Sequence, residues 1–411
     1  MSKPLEGIKV LDLTTFVAAP CVCRLLADLG AEVVKIERNS GDGWRGTGTT
    51  YCPKEFSMDE NPVYDYYNAG KKHITVNLKT PEGREIFDRL LQRSDIFVTN
   101  NRLQALKHMG IDYETLKETY PRLIYAMVEG YGEKGDDANT PAFDTTAFWA
   151  RCGMLPDLSM RGEDGECLPI YPPSSVGDTV TAFLLLSEIN AALYTREQTG
   201  KGQLVKAGLF RTGIFTFGTM QVVSARPYGK KYPMYPYDHS TLAGSYQCKD
   251  GKYLYIATGV VSDTFRKICT LVGHPEWIDD PRYNTSESRY ENRKEFYTKT
   301  REIFLTATRE EWLRRCKEID LAAGIVNGFA DVTEDPQALA NGYLEDVTFR
   351  TGRTLKMSAS PLSMTSLEGE DMSVRPAPLP GADNREVLLS LGYSEAEIAA
   401  LNESGVIRPI L

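Results

Sequence analysis

The sequence predicts an α/β fold with a parallel sheet and a second, smaller domain, and three observations carry that expectation. A strand, a helix and a second strand open the chain; apolar strands keep alternating with amphipathic helices through the first half; and 411 residues exceed what one core usually organises. The opening unit is KVLDL (9–13), the loop TTFVAAP, a helix over Cys21–Leu29 stopped by Gly30, and the strand AEVVKIE (31–37). HITVNL (73–78) follows as a strand, TPEGREIFDRLLQRS (80–94) as a helix, and DIFVTN (95–100) and LIYAMVEGYG (123–132) as strands. TVTAFLLLSEINAALYTREQTG (179–200) is expected to be a buried helix closed by Gly200, and KGQLVKAGLF (201–210) a further strand. The first turn of the opening unit has Ala18, Ala19 and Pro20 where a dinucleotide fold places glycines, which speaks against NAD.

The segment SARPYGKKYPMYPYDHSTLAGS (224–245) is rich in Tyr, Pro and Gly and reads as a crossing segment, so a boundary is set there. Residues 1–223 are then the N-terminal part of the large domain, 224–330 the crossing segment and small domain, and 331–411 a return to the large domain. The small domain should hold a hairpin in SYQCKDGKYLYIATG and helices near 262–272, 289–307 and 309–319. The return should hold strands near 346–357 and helices near 335–341 and 384–401.

A net charge of −9 argues against nucleic-acid or anionic-membrane partners. No apolar run is read as approaching the roughly 18 residues of a membrane span, so a cytoplasmic protein is expected. The eight cysteines form neither CxxC pairs nor zinc-like clusters and read as reduced thiols. Four histidines in no ligand pattern predict no catalytic metal. The chemistry is expected to rest on carboxylates.

Asp178, in YPPSSVGDTVTAF, follows a turn and precedes the apolar helix. It reads either as a helix N-cap or as a nucleophile already ionised at pH 7, with helix amides close to a developing oxyanion. Arg38 closes the second strand, where it would suit a phosphorylated ribose or pair with Glu37. Lys71 and Lys72 could meet a pyrophosphate or be solvated. Tyr228, Tyr232, Tyr235 and Tyr237 could line an acyl pocket or pack the crossing segment, and the GYGEKG turn (130–135) could approach a ligand or only turn the chain.

These segments form a pattern. PLEGIKVLDLTTFVAAP, LADLGAEVVKIER, NAGKKHITVNLKTPEGREIF, LKHMGIDYETL, RLIYAMVEGYGEKG, VGDTVTAF, TGKGQLV, HPEWIDDPRYNT, AAGIVNGFADVTEDPQALA and RPAPLPGADNREVLLSLGY resemble, in order and spacing, the class III CoA-transferase and racemase superfamily over essentially the whole chain. The resemblance implies a Rossmann-like α/β large domain, a smaller α+β domain and an interlocked homodimer. It implies a catalytic aspartate at Asp178, and coenzyme A contacts at Phe16, Val17, Ala18, Arg38, Lys71, Asn100, His108 and Met109. CoA and acyl-CoA enter as substrates, with no permanently bound cofactor. The partners expected are an acyl-CoA, a carboxylic acid and a second copy of the chain.

Two departures from the superfamily narrow the activity. The racemases carry a basic histidine where PAFDTTAF has Phe143, which disfavours an α-methylacyl-CoA racemase. The glycine run that covers the site in formyl-CoA transferases is absent from YPYDHSTLAGSYQC. The phrases GYGEKG and FDTTAFWARCG look most like the 2-hydroxyacid transferases, of the phenyllactate and 2-hydroxyisocaproate types. A substrate pocket of Phe143, Tyr235, Tyr237 and His239, flanked by Tyr246, is therefore expected to take an apolar 2-hydroxy or enoyl acid. A non-catalytic CoA-binding protein is the other alternative, and the Gly177–Asp178 pair speaks against it.

Overall fold

The computed structural model describes residues 3–46, 56–162, 164–238, 243–257 and 263–408. The chain divides into two compact units, Met1–Cys152 with Pro172–Gln221 and Pro336–Leu411, and Gly153–Tyr171 with Val222–Asp335. The stretch 153–171, which the sequence reading places in the large domain, falls with the second unit.

Six parallel strands form the sheet of the first unit: β1 (Lys9–Leu13), β2 (Glu32–Glu37), β3 (Lys72–Thr75), β4 (Ile96–Thr99), β5 (Ile124–Glu129) and β6 (Leu204–Gly208). Their order is β3-β2-β1-β4-β5-β6, the doubly wound order whose direction reverses between β1 and β4. Successive residues point to opposite faces, and both faces are covered. Val10, Val98 and Ala126 join one apolar cluster, and Leu11, Phe97 and Tyr125 join the other.

Helix α1 (Ala18–Asp28) begins three residues before its expected start, because a proline in the first turn removes an amide that has no partner there anyway. The short α2 (Pro62–Asn68) was not foreseen. Helix α3 (Pro81–Gln92) starts where Thr80 Oγ1 accepts from Gly83 N at 3.1 Å. α4 (Leu103–Met109) ends at Gly110 in the left-handed region.

The apolar helix α5 (Val176–Thr199) begins before Asp178 and is only half buried. Leu185, Ile189 and Ala192 face the core, whereas Phe183 and Leu184 are exposed and Tyr194 is 69% exposed. By length and composition α5 could cross a membrane, a feature the sequence reading missed; its inner face packs in the core. Helix α6 (Leu209–Thr216) follows β6 directly, where a longer strand was expected, and carries Phe215 at 90% exposure.

The C-terminal segment divides into helices Asn384–Ser390 and Glu395–Glu403. The single expected helix is broken at Gly392, with φ 90°, and restarted by a capping box of Ser394 and Glu397. This return edges β3: Asn384 Oδ1 accepts from Thr75 N at 2.9 Å and Asp383 Oδ2 from His73 N at 2.6 Å.

In the second unit, β7 (Gly244–Gln247) and β8 (Tyr253–Ile256) form the expected hairpin, and an unforeseen strand, β9 (Ala323–Val326), pairs with β8. Tyr246 is 1% exposed and stacks on Phe304 at 4.6 Å, so it is a core residue and not a pocket wall.

Candidate active site

The loops after β1 and β4 part at the reversal point, which is where open α/β sheets bind ligands. Asn100 holds them at a fixed separation: its Oδ1 accepts from Thr15 N at 3.0 Å and its Nδ2 donates to Thr15 O at 2.7 Å. The next residue, Phe16, has φ 65°, a left-handed backbone uncommon for an aromatic residue. Its amide donates to Asp42 Oδ1 at 3.3 Å, and its ring meets Trp44 at 6.0 Å and Phe143 at 5.5 Å, both edge to face. These loops open onto a cleft of about 550 Å³.

Of the expected residues, Phe16, Val17, Ala18, Asn100, Phe143 and Asp178 line this one cleft. Phe143 is 53% exposed, ahead of a π-helical turn over Asp144–Ala150. Arg38 is exposed beyond the end of β2 and makes no ion pair among the described residues. Its alternative partner Glu37 is instead held by Arg45 and His73, each at 2.7 Å.

Other expected positions lie elsewhere. The Lys71 amine is fully buried and all three of its protons are used, on Asp12 Oδ2, Pro20 O and Asn68 Oδ1 at 2.9, 2.9 and 3.0 Å. It has no donor left for a pyrophosphate and is a structural cation. Lys72 pairs with Glu32 and Glu386 at the surface. His108 is exposed on the last turn of α4, and Met109 packs against the core; neither lines the cleft. Tyr235 and Tyr237 belong to the second unit, stacked on each other at 5.0 Å with Arg161 over Tyr235. His239 lies outside the described residues.

The cleft also holds residues that sequence reasoning passed over. Arg102 and Lys107 on its wall suit an anionic ligand, and the signal for them was two basic residues just after β4. More consequential is the buried Asp144, which does not line the cleft and is the neighbour of Phe143 in the same motif. Gly177 lets it approach α5: an added Cβ would stand 2.3 Å from Asp144 Oδ1 and 2.2 Å from Phe148 Cγ.

Asp178 is the third residue of α5, so the N-cap reading fails; Ser175, with φ 70°, holds that position. Burial pushes the Asp178 carboxyl up to about 8, and the Asp144 charge adds to the shift. Burial also raises Asp144, to about 6, against the attraction of the Ser175, Gly177 and Asp178 amides and the Trp149 indole. None of those contacts reaches full hydrogen-bond geometry. One sequence expectation changes: buried and beside the Asp144 charge, Asp178 is not the ordinary, freely ionised aspartate expected from the sequence. Cys21, close enough to feel Asp178, is pushed up to about 12 by its own burial and is no competing nucleophile.

Beneath the β1 loop lies a second set of charges. Lys35 is fully buried, donates to Thr14 O at 2.8 Å and pairs with Asp42 at 3.1 Å. Burial alone would raise Asp12, yet the charges of Lys35 and Lys71 hold it below the usual carboxylate range. Among the described residues no group of three or more His, Cys, Asp or Glu is arranged to hold a metal ion.

The family model for CoA-transferase family III matches residues 5–384. The chain is 37% identical over 405 residues to (R)-2-hydroxy-4-methylpentanoate CoA-transferase of Clostridioides difficile, covering 98% of this chain and 99% of that one. It is 34% identical over 404 residues to cinnamoyl-CoA:phenyllactate CoA-transferase of Clostridium sporogenes, covering 97% and 96%. The crystal structure of a CAIB/BAIF family protein from Brucella suis superposes with a TM-score of 0.79 at 28% identity, over 95% of this chain and all of that one. With a doubly wound sheet, a cleft at its reversal point and the Asp178 carboxylate at the cleft wall, the chain belongs to CoA-transferase family III.

Proposed function

We propose that the chain exchanges coenzyme A between carboxylic acids through a covalent intermediate on Asp178. The observation that carries this reading is the Asp178 carboxyl itself, raised by burial on the wall of the cleft with no cation paired to it among the described residues. An Asp178 oxygen attacks the donor thioester carbonyl, and the C–S bond breaks to give a mixed anhydride and CoA thiolate. The thiolate then attacks the aspartyl carbonyl and releases the donor acid, leaving an aspartyl-CoA thioester. The acceptor carboxylate runs the same steps in reverse. Asp178 must first lose its proton, and the nearby Asp144 charge makes that loss harder, so Asp144 tunes the pH at which the nucleophile forms.

CoA is oriented by its nucleotide at Arg38, with Arg102 and Lys107 along the cleft, and remote binding energy positions the reacting ends. The acceptor is an apolar 2-hydroxy or enoyl acid, as the names of the two relatives suggest. The edge-to-face pair of Phe16 and Phe143 provides the apolar wall for it, in place of the tyrosines first expected. The exposed Phe183, Leu184, Tyr194 and Phe215 on α5 and α6 support a homodimer, since a second copy would remove this surface from water.

Hydroxylamine added together with an acyl-CoA tests the intermediate. It should inactivate the protein and leave a hydroxamate on the peptide containing Asp178, read by mass spectrometry. Turnover with continued activity and no modified peptide would rule out the aspartyl route.

A further inference from the structure

We infer that Glu129 sets the charge specificity of the acyl end of the cleft, disfavouring acids that carry a second carboxylate. Glu129 is the last residue of β5 and lines the same cleft as Asp178. Its Oε2 atom is buried and meets no hydrogen-bond partner among the described residues. The adjacent cations are engaged elsewhere: Lys206 pairs with Glu133 at 2.7 Å, and Arg211 donates to the carbonyl of Lys206. Burial raises Glu129, and the charges of Lys206 and Arg211, together larger than the opposing charge of Glu133, offset only part of that. Gly208 backs the side chain, since a Cβ there would stand 3.2 Å from Glu129 Cγ, so the carboxyl has little room to withdraw.

The strand order says which part of the substrate Glu129 meets. β2, β1, β4 and β5 are consecutive neighbours in the sheet. At the usual strand spacing, the end of β5 lies about 14 Å across the sheet from the end of β2, where Arg38 follows. This step rests on the proposed orientation of CoA: with the phosphorylated ribose at Arg38, Glu129 stands on the flank away from the nucleotide. A neutral acyl chain brings no charge to that flank. A chain ending in a second carboxylate brings a like charge beside Glu129 in a partly dry cleft, where the neighbouring Lys206 is already paired with Glu133.

Pentanoate and glutarate, acceptors of equal length that differ in one terminal carboxylate, make the test with 4-methylpentanoyl-CoA as donor. In Glu129→Gln the ratio of kcat/KM for glutarate over pentanoate should rise about tenfold or more, the effect of removing one like charge at close range. In the wild type the same ratio should rise between about 0.05 and about 0.5 M salt as the repulsion is screened. A ratio that is unchanged in a folded, active variant overturns the inference, as does an equal change for both acceptors. A wild-type ratio independent of salt overturns it even where the variant fails to fold. If the wild type transfers CoA to neither acid while other acceptors work, the acyl-pocket reading fails and this inference fails with it; transfer to pentanoate with an unmoved ratio sinks the inference alone.

Discussion

The first unit holds two clusters of carboxylates, and they differ in one respect: whether each charge has a partner. In the cluster below the β1 loop every acid has a cation. Asp12 faces Lys71 and Lys35, Asp42 faces Lys35, and Glu37 faces Arg45. Despite burial, hydrogen bonds and charge from Arg45 and His73 hold Glu37 well below the usual carboxylate range. Asp178 at the cleft and Asp144 behind it have no cation paired to them among the described residues, and both are raised by burial. The paired cluster holds the backbone of the binding loop in place. The unpaired one keeps a carboxylate poorly solvated, the property that the proposed attack on a thioester uses.

Removing the reactive member should have the largest effect. Asp178→Asn keeps the shape of the side chain and removes the proposed nucleophile, so transfer should fall by about a thousandfold or more, while the variant folds and still retains CoA. Steady-state transfer and equilibrium binding of CoA, measured on one preparation, check both halves. Turnover within tenfold of the wild type would move the nucleophile elsewhere.

Breaking the paired cluster should cost stability. Lys35→Met leaves Asp42 buried with backbone amides as its only partners, and removing one member of a buried ion pair typically costs about 3–5 kcal/mol. Urea unfolding at pH 7 measures it. The double variant with Asp42→Asn should recover part of the loss, because the neutral amide can still accept from the Phe16 and Trp44 amides.

The contrast between the clusters was only partly legible in the sequence. Alternating strands and helices announced the sheet, because strand period and apolar runs are local properties; Asp178 stood out within a local motif, whereas Asn100 and Phe16 came only from the family resemblance. Asp144 did not, because its importance depends on a π-helical turn meeting the start of α5 across Gly177, a contact between segments more than thirty residues apart. Lys71 was misread for the same reason. Its partners Asp12 and Pro20 lie on β1 and α1, and nothing in NAGKKHITV indicates that the amine turns inward. Tyr246 was assigned to a pocket from composition, and a hydrophobic core claims a tyrosine as readily. The exposed face of α5 was hidden by its uniform apolarity, since periodicity cannot separate a core-facing side from one that awaits another surface.

Asp144 tunes its neighbour, so Asp144→Asn should move the pH profile before it moves the maximum rate. Burial is the larger cause of the raised Asp178 carboxyl and the Asp144 charge the smaller. Neutralising Asp144 should therefore lower the acid limb of kcat/KM from its wild-type position near 8, by about one unit, equivalent to about 1.4 kcal/mol. A limb that stays in place would mean that burial alone sets the Asp178 carboxyl.

The smallest effect reads the same pair through stability. Asp178 has a folded pKa of about 8 against an ordinary value of 3.8, so between those limits the folded chain holds a proton that the unfolded chain has released. Its contribution to stability therefore falls as pH rises from about 4 to about 8, the reverse of a salt-bridged aspartate. Asp178→Asn removes this titration. It should be more stable than the wild type at pH 8, by about 1 kcal/mol after allowing for the water that the open cleft admits, and equal to it near pH 4. The paired cluster gives the opposite sign. Glu37 and Asp12 are held below their ordinary values, so they stabilise the fold above about pH 4 and lose that contribution on acidification. Unfolding of wild type and Asp178→Asn followed from pH 4 to pH 8 should give two curves that coincide in acid and separate toward base. Curves that run parallel throughout would show that Asp178 titrates as an ordinary surface carboxylate, and the contrast between the two clusters would then not be one of charge pairing.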